Sequence, residues 1–183
     1  MSKLKIIFKI YHKILEIYWS VFVPIYLKIF GVKLGKGITF YGFPIVSLAK
    51  GSSITINDRV VLCSDSRFTQ LGVNHPVTLR TNDNAEIIID DDTGISGGSI
   101  VAAEKIQIGK MCLIGANVLI FDTNFHSLKK HGRRYNTNPK DILTKPIIIG
   151  DNCFIGTNAI ILKGTMLKEN TIIPANSVIK NEP

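Results

Sequence analysis

Four histidines are spread along the 183 residues, and one of them stands where a different residue type is expected. His126 ends the segment Asp122-Thr123-Asn124-Phe125-His126 and falls six residues after Ile120, in a series that otherwise puts a branched aliphatic at that step. A neutral imidazole, with a pKa near 6.5, can take the proton of an attacking hydroxyl, and such general-base help contributes about 10²–10⁴-fold. Asp122, four residues earlier, is a candidate to orient the ring or to bind acceptor hydroxyls, with a turn aspartate as the alternative; Asn124 is placed in the same way. His75, in Val73-Asn74-His75-Pro76, is a candidate for acceptor contact if its loop folds over a neighbouring site, against the plainer role of a hydrogen-bonding loop residue. His12 and His131 read as bystanders. His75, His126 and His131 lack the spacing of three ligands to one metal, so no metal is expected. Cys63, Cys112 and Cys153 form neither a C-x-x-C pair nor an even set, which argues against disulfides and a thiolate zinc site and fits a reducing compartment.

The elements that must position these residues show in a repeat. Ile149, Ile155, Ile161, Leu167, Ile173 and Ile179 follow one another at six-residue steps, and a small residue comes four positions after each of the first five: Cys153, Ala159, Thr165, Thr171 and Ser177. A period of six fits neither a 3.6-residue helix nor a hairpin meander. It fits short strands that turn a corner every six residues, one aliphatic pointing inward per side. Ile108, Ile114 and Ile120 keep the step, as do Ile89, Ile95 and Val101, with one extra residue between Val101 and Ile108 absorbed at a bulged corner. The pairs Ile54/Ile56, Ile87/Ile89, Ile106/Ile108 and Ile147/Ile149 put two side chains on one strand face and open successive coils. Residues 63–84 and 122–146 lack the step and read as loops, where function is often carried. Gly94-Ile95-Ser96-Gly97-Gly98 has no following Lys-Ser/Thr and no helix, so its glycines read as corners, not as a phosphate loop. Ser96 and Ser99, one coil before His126, are candidates to line an acceptor pocket. Residues 3–23 read as a helix with a narrow polar stripe of Lys5, Lys9, His12, Lys13, Glu16 and Ser20, stopped or kinked by Pro24. The chain thus divides into a helical segment, 1–33, and a coil, 34–183.

The formal charge of +8, from 22 Lys and Arg against 14 Asp and Glu, is local. Residues 1–33 carry +5, residues 127–145 carry +5, and the remainder sums to −2. A protein that coats nucleic acid is therefore not expected. The longest uncharged N-terminal stretch, 17–27, is broken by Pro24 and falls short of the roughly 20 apolar residues that span a bilayer. No small-x-small cleavage site follows it, so the expected location is intracellular.

The repeat is the hexapeptide pattern. On IGKMCLIGANVLIFDTNFHSL (108–128) and KPIIIGDNCFIGTNAIILKGTMLKENTIIPANSVIKNEP (145–183), the chain resembles the left-handed parallel β-helix acyltransferases, most closely those acetylating capsule and O-antigen sugars. The resemblance implies an all-β, left-handed coil with an N-terminal α-helical segment and a long inserted loop. It implies transfer of acetyl from acetyl-CoA to a sugar hydroxyl, directly, with His126 as base. N-acetylation of an amino-sugar nucleotide and a non-catalytic scaffold stand as alternatives. For the donor it implies Phe154, where relatives often have Trp, as an apolar wall along the pantetheine arm. Thr157 and Ala175 would contact the arm's amides, and Lys180 and Lys163 the phosphates. Relatives carry Gly where this chain has Pro174 and Asn176, which removes one N–H from that corner. The family also implies a homotrimer with sites between subunits. Arg133 and Arg134 would draw CoA phosphates or an anionic acceptor. The basic apolar segment 1–30 would lie on the inner face of a membrane or pack on the end of the trimer.

Overall fold

The computed structural model describes residues 3–136 and 138–180. Among them a single α-helix, α1 (Lys3–Ile29), precedes eighteen short strands wound as six coils of three. The first coil is β1 (Lys33–Leu34), β2 (Thr39–Tyr41) and β3 (Ile45–Leu48), and the second is β4 (Ser53–Ile56), β5 (Val61–Cys63) and β6 (Thr78–Thr81). The third is β7 (Glu86–Ile89), β8 (Gly94–Ser96) and β9 (Ser99–Ala102), and the fourth β10 (Lys105–Ile108), β11 (Leu113–Ile114) and β12 (Leu119–Phe121). The fifth is β13 (Ile147–Ile149), β14 (Phe154–Ile155) and β15 (Ile160–Leu162), and the sixth β16 (Met166–Leu167), β17 (Ile172–Ile173) and β18 (Val178–Ile179). Each strand pairs in parallel with the strand one coil on, so three six-stranded sheets form the sides of a left-handed β-helix. Side one starts at β1, side two at β2 and side three at β3.

Six residues per side explain the core. Ile149 and Leu167, eighteen residues apart, are Cα partners on side one. Ile54, Ile87, Ile106 and Ile147 stack there with no exposure, and Ile56, Ile89, Ile108 and Ile149 form a second buried stack beside them. The small residues fill tight corners: the Cys112 thiol donates to Gly150 O at 3.2 Å and the Cys153 thiol to Lys168 O at 3.2 Å. Burial pushes the Cys112 thiol up to about 11, so it is an inert corner residue rather than a nucleophile.

Three expectations need correction. The loop read as 63–84 ends sooner, because Thr78–Thr81 is strand β6, paired with β3 and β9. It was hidden because only Leu79 is an inward aliphatic; the other inward position is Thr81, whose hydroxyl meets Ser52 Oγ at 2.7 Å. The excursion from the coil is therefore 64–77. The inward residue before the register shift also differs: Ile100, not Val101, points inward and pairs with Leu79 and Ile120, while the surplus stays between Val101 and Ile108, at the corner between β9 and β10. Finally, α1 runs through Pro24 to Ile29. Proline removes one N–H there, but Val23 and Leu27 on either side are both fully buried and hold the helix on course. Trp19, Val23 and Leu27 join one core with the inward Phe40 and Val46 of the first coil, so α1 lies across the coil's open end. Its N-terminal half overhangs side two, where Phe68 of the 64–77 excursion packs against Trp19 and His12 and stacks on Tyr41.

Candidate active site

The second excursion leaves the coil after β12. Asp122, fully buried, is its first residue, and its carboxylate accepts from the backbone N–H of Ala103 at 2.6 Å and of Glu104 and Lys105 at 2.8 Å each. Those amides span the surplus-bearing corner one coil earlier and the first residue of β10. Asp122 thus braces a corner, and both of its oxygens are engaged away from His126. Burial pushes this carboxyl above the usual carboxylate range, while the three amides pull the other way. The excursion's two ends are zipped together by Lys145 N donating to Asp122 O at 3.0 Å, a Thr123–Thr144 bridge, and Asn124 N donating to Leu143 O at 3.1 Å.

His126 follows on a tight turn. Its N–H donates back to Asn124 O at 2.6 Å across Phe125, which sits at φ +58°. A bulky side chain at positive φ is an outlier, and backbone strain of this kind collects at functional sites. Ser127 is fully buried, so the turn is anchored on both sides and the imidazole between is exposed. The Nδ2 of Asn124 is buried without a hydrogen-bond partner, a donor available to a bound oxygen. Beside it, Asn82, Asp83, Ala103, Thr123, Ile142 and Thr144 line a cavity of about 410 Å³ under the excursion. Further out, Lys129 Nζ pairs with Asp141 at 2.6 Å and Arg133 Nη2 donates to Leu128 O at 3.2 Å. Arg134 lies 5.9 Å from the Tyr135 ring centroid, and both arginines are exposed.

A second group of residues lies at another corner, between sides two and three. Phe154, Thr157, Ser96, Gly115 and Ala116 face Thr69–Leu71 of the 64–77 excursion across a cleft of about 270 Å³. Ala175 stacks one coil beyond: a Cβ built on Gly156 would clash with the Ala175 nitrogen and lie 2.8 Å from its Cα, so glycine is required there. The excursion is held down by Asn74 N donating to Asn117 Oδ1 at 2.8 Å and by Val73, which packs where a Gly97 side chain would be, 2.7 Å from Val73 Cγ1. His75 is half-buried, with Nδ1 donating to Pro76 O at 2.8 Å.

The predicted residues therefore separate into two columns with the width of side three between them. Asp122, Asn124, His126, Arg133, Arg134, Lys163 and Lys180 lie at the corner after side three, and Phe154, Thr157, Ala175 and His75 at the corner before it. Lys163 and Lys180 directly follow β15 and β18 and so share the His126 corner, away from the Phe154 cleft. Ser96 enters that cleft, whereas Ser99 opens strand β9. Sequence reasoning missed Thr69, Gln70 and Leu71, which carry no hexad signal, and the cavity residues Asn82 and Asp83, which it placed inside a loop.

Residues 146–181 match the family model described as the hexapeptide repeat of succinyl-transferase. The match falls on the fifth and sixth coils of the β-helix. It is 32% identical over 85 residues to WbbJ of Escherichia coli K12, named as a lipopolysaccharide biosynthesis O-acetyl transferase, across 44% of this chain and 43% of that protein. It is 31% identical over 87 residues to the galactoside O-acetyltransferase of the same strain, across 46% of this chain and 39% of the relative. The matches thus cover about two-fifths of each curated relative. Among solved structures, the polysialic acid O-acetyltransferase OatWY aligns with a TM-score of 0.48 at 20% identity, over 83% of this chain and 75% of that one.

Proposed function

We propose that this hexapeptide-repeat protein is an O-acetyltransferase that moves acetyl from acetyl-CoA to a sugar hydroxyl during surface polysaccharide synthesis in the cytoplasm. The observation that carries the reading is His126, exposed on a strained turn that is anchored on both sides at the mouth of a basic excursion. The two curated relatives, both named as O-acetyl transferases, point the same way. The Phe154 cleft suits a thioester arm: an apolar ring forms one wall, and Thr157 supplies a hydroxyl beside the backbone of Gly115 and Ala116.

His126 takes the proton of the acceptor hydroxyl as its oxygen attacks the thioester carbonyl. Backbone N–H groups stabilise the tetrahedral oxyanion. The C–S bond then breaks, and the CoA thiolate leaves as thiol with the proton held on the imidazolium. Because side three separates His126 from Phe154 and Thr157 within one chain, the reading includes a homotrimer in which the His126 corner of one copy meets the cleft of the next. Lys163, Lys180, Arg133 and Arg134 would then approach the CoA phosphates or an anionic glycan from the neighbouring copy.

The test is thiol release from acetyl-CoA with sugar acceptors. His126→Ala is expected to lower kcat by about 10²–10⁴-fold without moving the melting temperature, since the ring is exposed. Near-normal turnover in this variant, or no calorimetric binding of CoA to the wild type, overturns the reading.

A further inference from the structure

α1 caps the coil, and a terminal cap ordinarily presents a polar outer face to water. This one does not. Leu15, Trp19, Val23 and Leu27 face the coil at four-residue steps. On the opposite face Ile7, Ile10, Ile14, Ile17, Val21 and Ile25 recur at three- and four-residue steps, a continuous aliphatic stripe, and each is 50–61% exposed. Tyr11, Tyr18 and Phe22 widen the stripe on one flank, each nearly half exposed. Lys13 lies on the other flank, paired with Glu16 at 3.0 Å, and the exposed Lys28, three residues after Ile25, continues the stripe's own steps. No helix among the described residues is long and apolar enough to cross a membrane.

We propose that the outward face of α1 is a docking surface for an anionic lipid bilayer, with the helix lying in the interface and the coil standing on it. Charge decides the occupant. The helix holds five Lys and one Glu, so copies packed stripe to stripe would bring like charges together. An anionic surface complements Lys13 and Lys28 while the stripe enters the acyl boundary. Lysine stems can lie along the apolar layer with their ammonium groups among the headgroups.

The experiment is flotation of the full chain with vesicles of phosphatidylcholine alone or with 30% phosphatidylglycerol, without substrate, so it stands or falls apart from acetyl transfer. Wild type is expected to float with the anionic vesicles. Ile10→Glu/Ile14→Glu/Ile17→Glu should stay at the bottom with an unchanged melting temperature, because these residues face away from the core. Lys13→Ala/Lys28→Ala should weaken partitioning onto anionic vesicles by about thirtyfold. Wild type that ignores both vesicles, or a triple variant that floats like wild type, overturns the proposal. A lysine variant unchanged on anionic vesicles overturns the choice of an anionic surface. If light scattering shows that the triple variant loses mass while wild type ignores lipid, the face belongs to a second copy and the proposal also fails.

Discussion

Replacing Asp122 by alanine separates a brace from a catalytic partner. The substitution strips the carboxylate from three corner amides, those of Ala103, Glu104 and Lys105. Leaving one buried donor unpaired costs about 1–3 kcal/mol. Glu104 is exposed and its neighbours are half-buried, so water recovers part of this, and the low end applies to each amide. The expected loss is about 3–4 kcal/mol, which lowers the melting temperature of a chain this size by about 10 °C. Asp122→Asn, which keeps one carbonyl acceptor, should lose less. In thiol-release assays well below the new melting point, kcat should stay within about twofold and its pH profile should not move. An aspartate that oriented the imidazole would behave oppositely, with losses near 10⁴-fold when the pairing is removed. An unchanged melting temperature combined with a hundredfold fall in kcat would refute the brace.

Charge reversal of Arg133 and Arg134 to Glu should raise the KM for acetyl-CoA or for an anionic acceptor, more at low salt than at high salt, in steady-state assays across ionic strength. Gly156→Ala should destabilise the fifth and sixth coils by about 1–3 kcal/mol, read by thermal denaturation, because its Cβ meets the backbone of Pro174 and Ala175. The Arg67 guanidinium, hydrogen-bonded to Asp65 at 2.9 Å, holds that carboxyl below the usual carboxylate range. A depressed folded-state pKa contributes stability that is present above the unfolded value of about 3.9 and is lost as pH falls through the folded value. Acid melting curves of Arg67→Met should therefore show a weaker pH dependence in that window than wild type.

The coil was legible because its rule is simple: one inward aliphatic per side makes six-residue steps, and Ile149 through Ile179 obey it without exception. It failed where other chemistry met the same geometric demand. Thr81 fills its inward position by bonding Ser52, so β6 carried no aliphatic pattern. Ile100 and Val101 are adjacent and equally apolar, and only the pairing with Leu79 and Ile120 tells which faces inward. Pro24 looked terminal because its missing N–H is local, whereas the packing that outweighs it comes from the first coil. At the site, His126 stood out as a polar residue at an aliphatic step. The role of Asp122 did not, because its three partners lie 17–19 residues upstream and meet it only once the coil is wound. The parting of His126 from Phe154 follows from which side each strand joins, which spacing alone does not reveal.

The rungs of a β-helix also make a ruler. Adjacent strands lie about 4.8 Å apart, and β12, from which the His126 excursion departs, is three rungs from β3 at the capped end. That sets the excursion's root about 14 Å above the first coil, with the thickness of α1, about 10 Å, beneath it. With the outward stripe of α1 sunk about 5–10 Å into the interface, the excursion's root would stand about 14–20 Å clear of the bilayer surface. A single sugar joined directly to a lipid anchor falls short of that height. Under the proposed function and the proposed docking together, that height would favour an acceptor several residues long, modified toward its outer end.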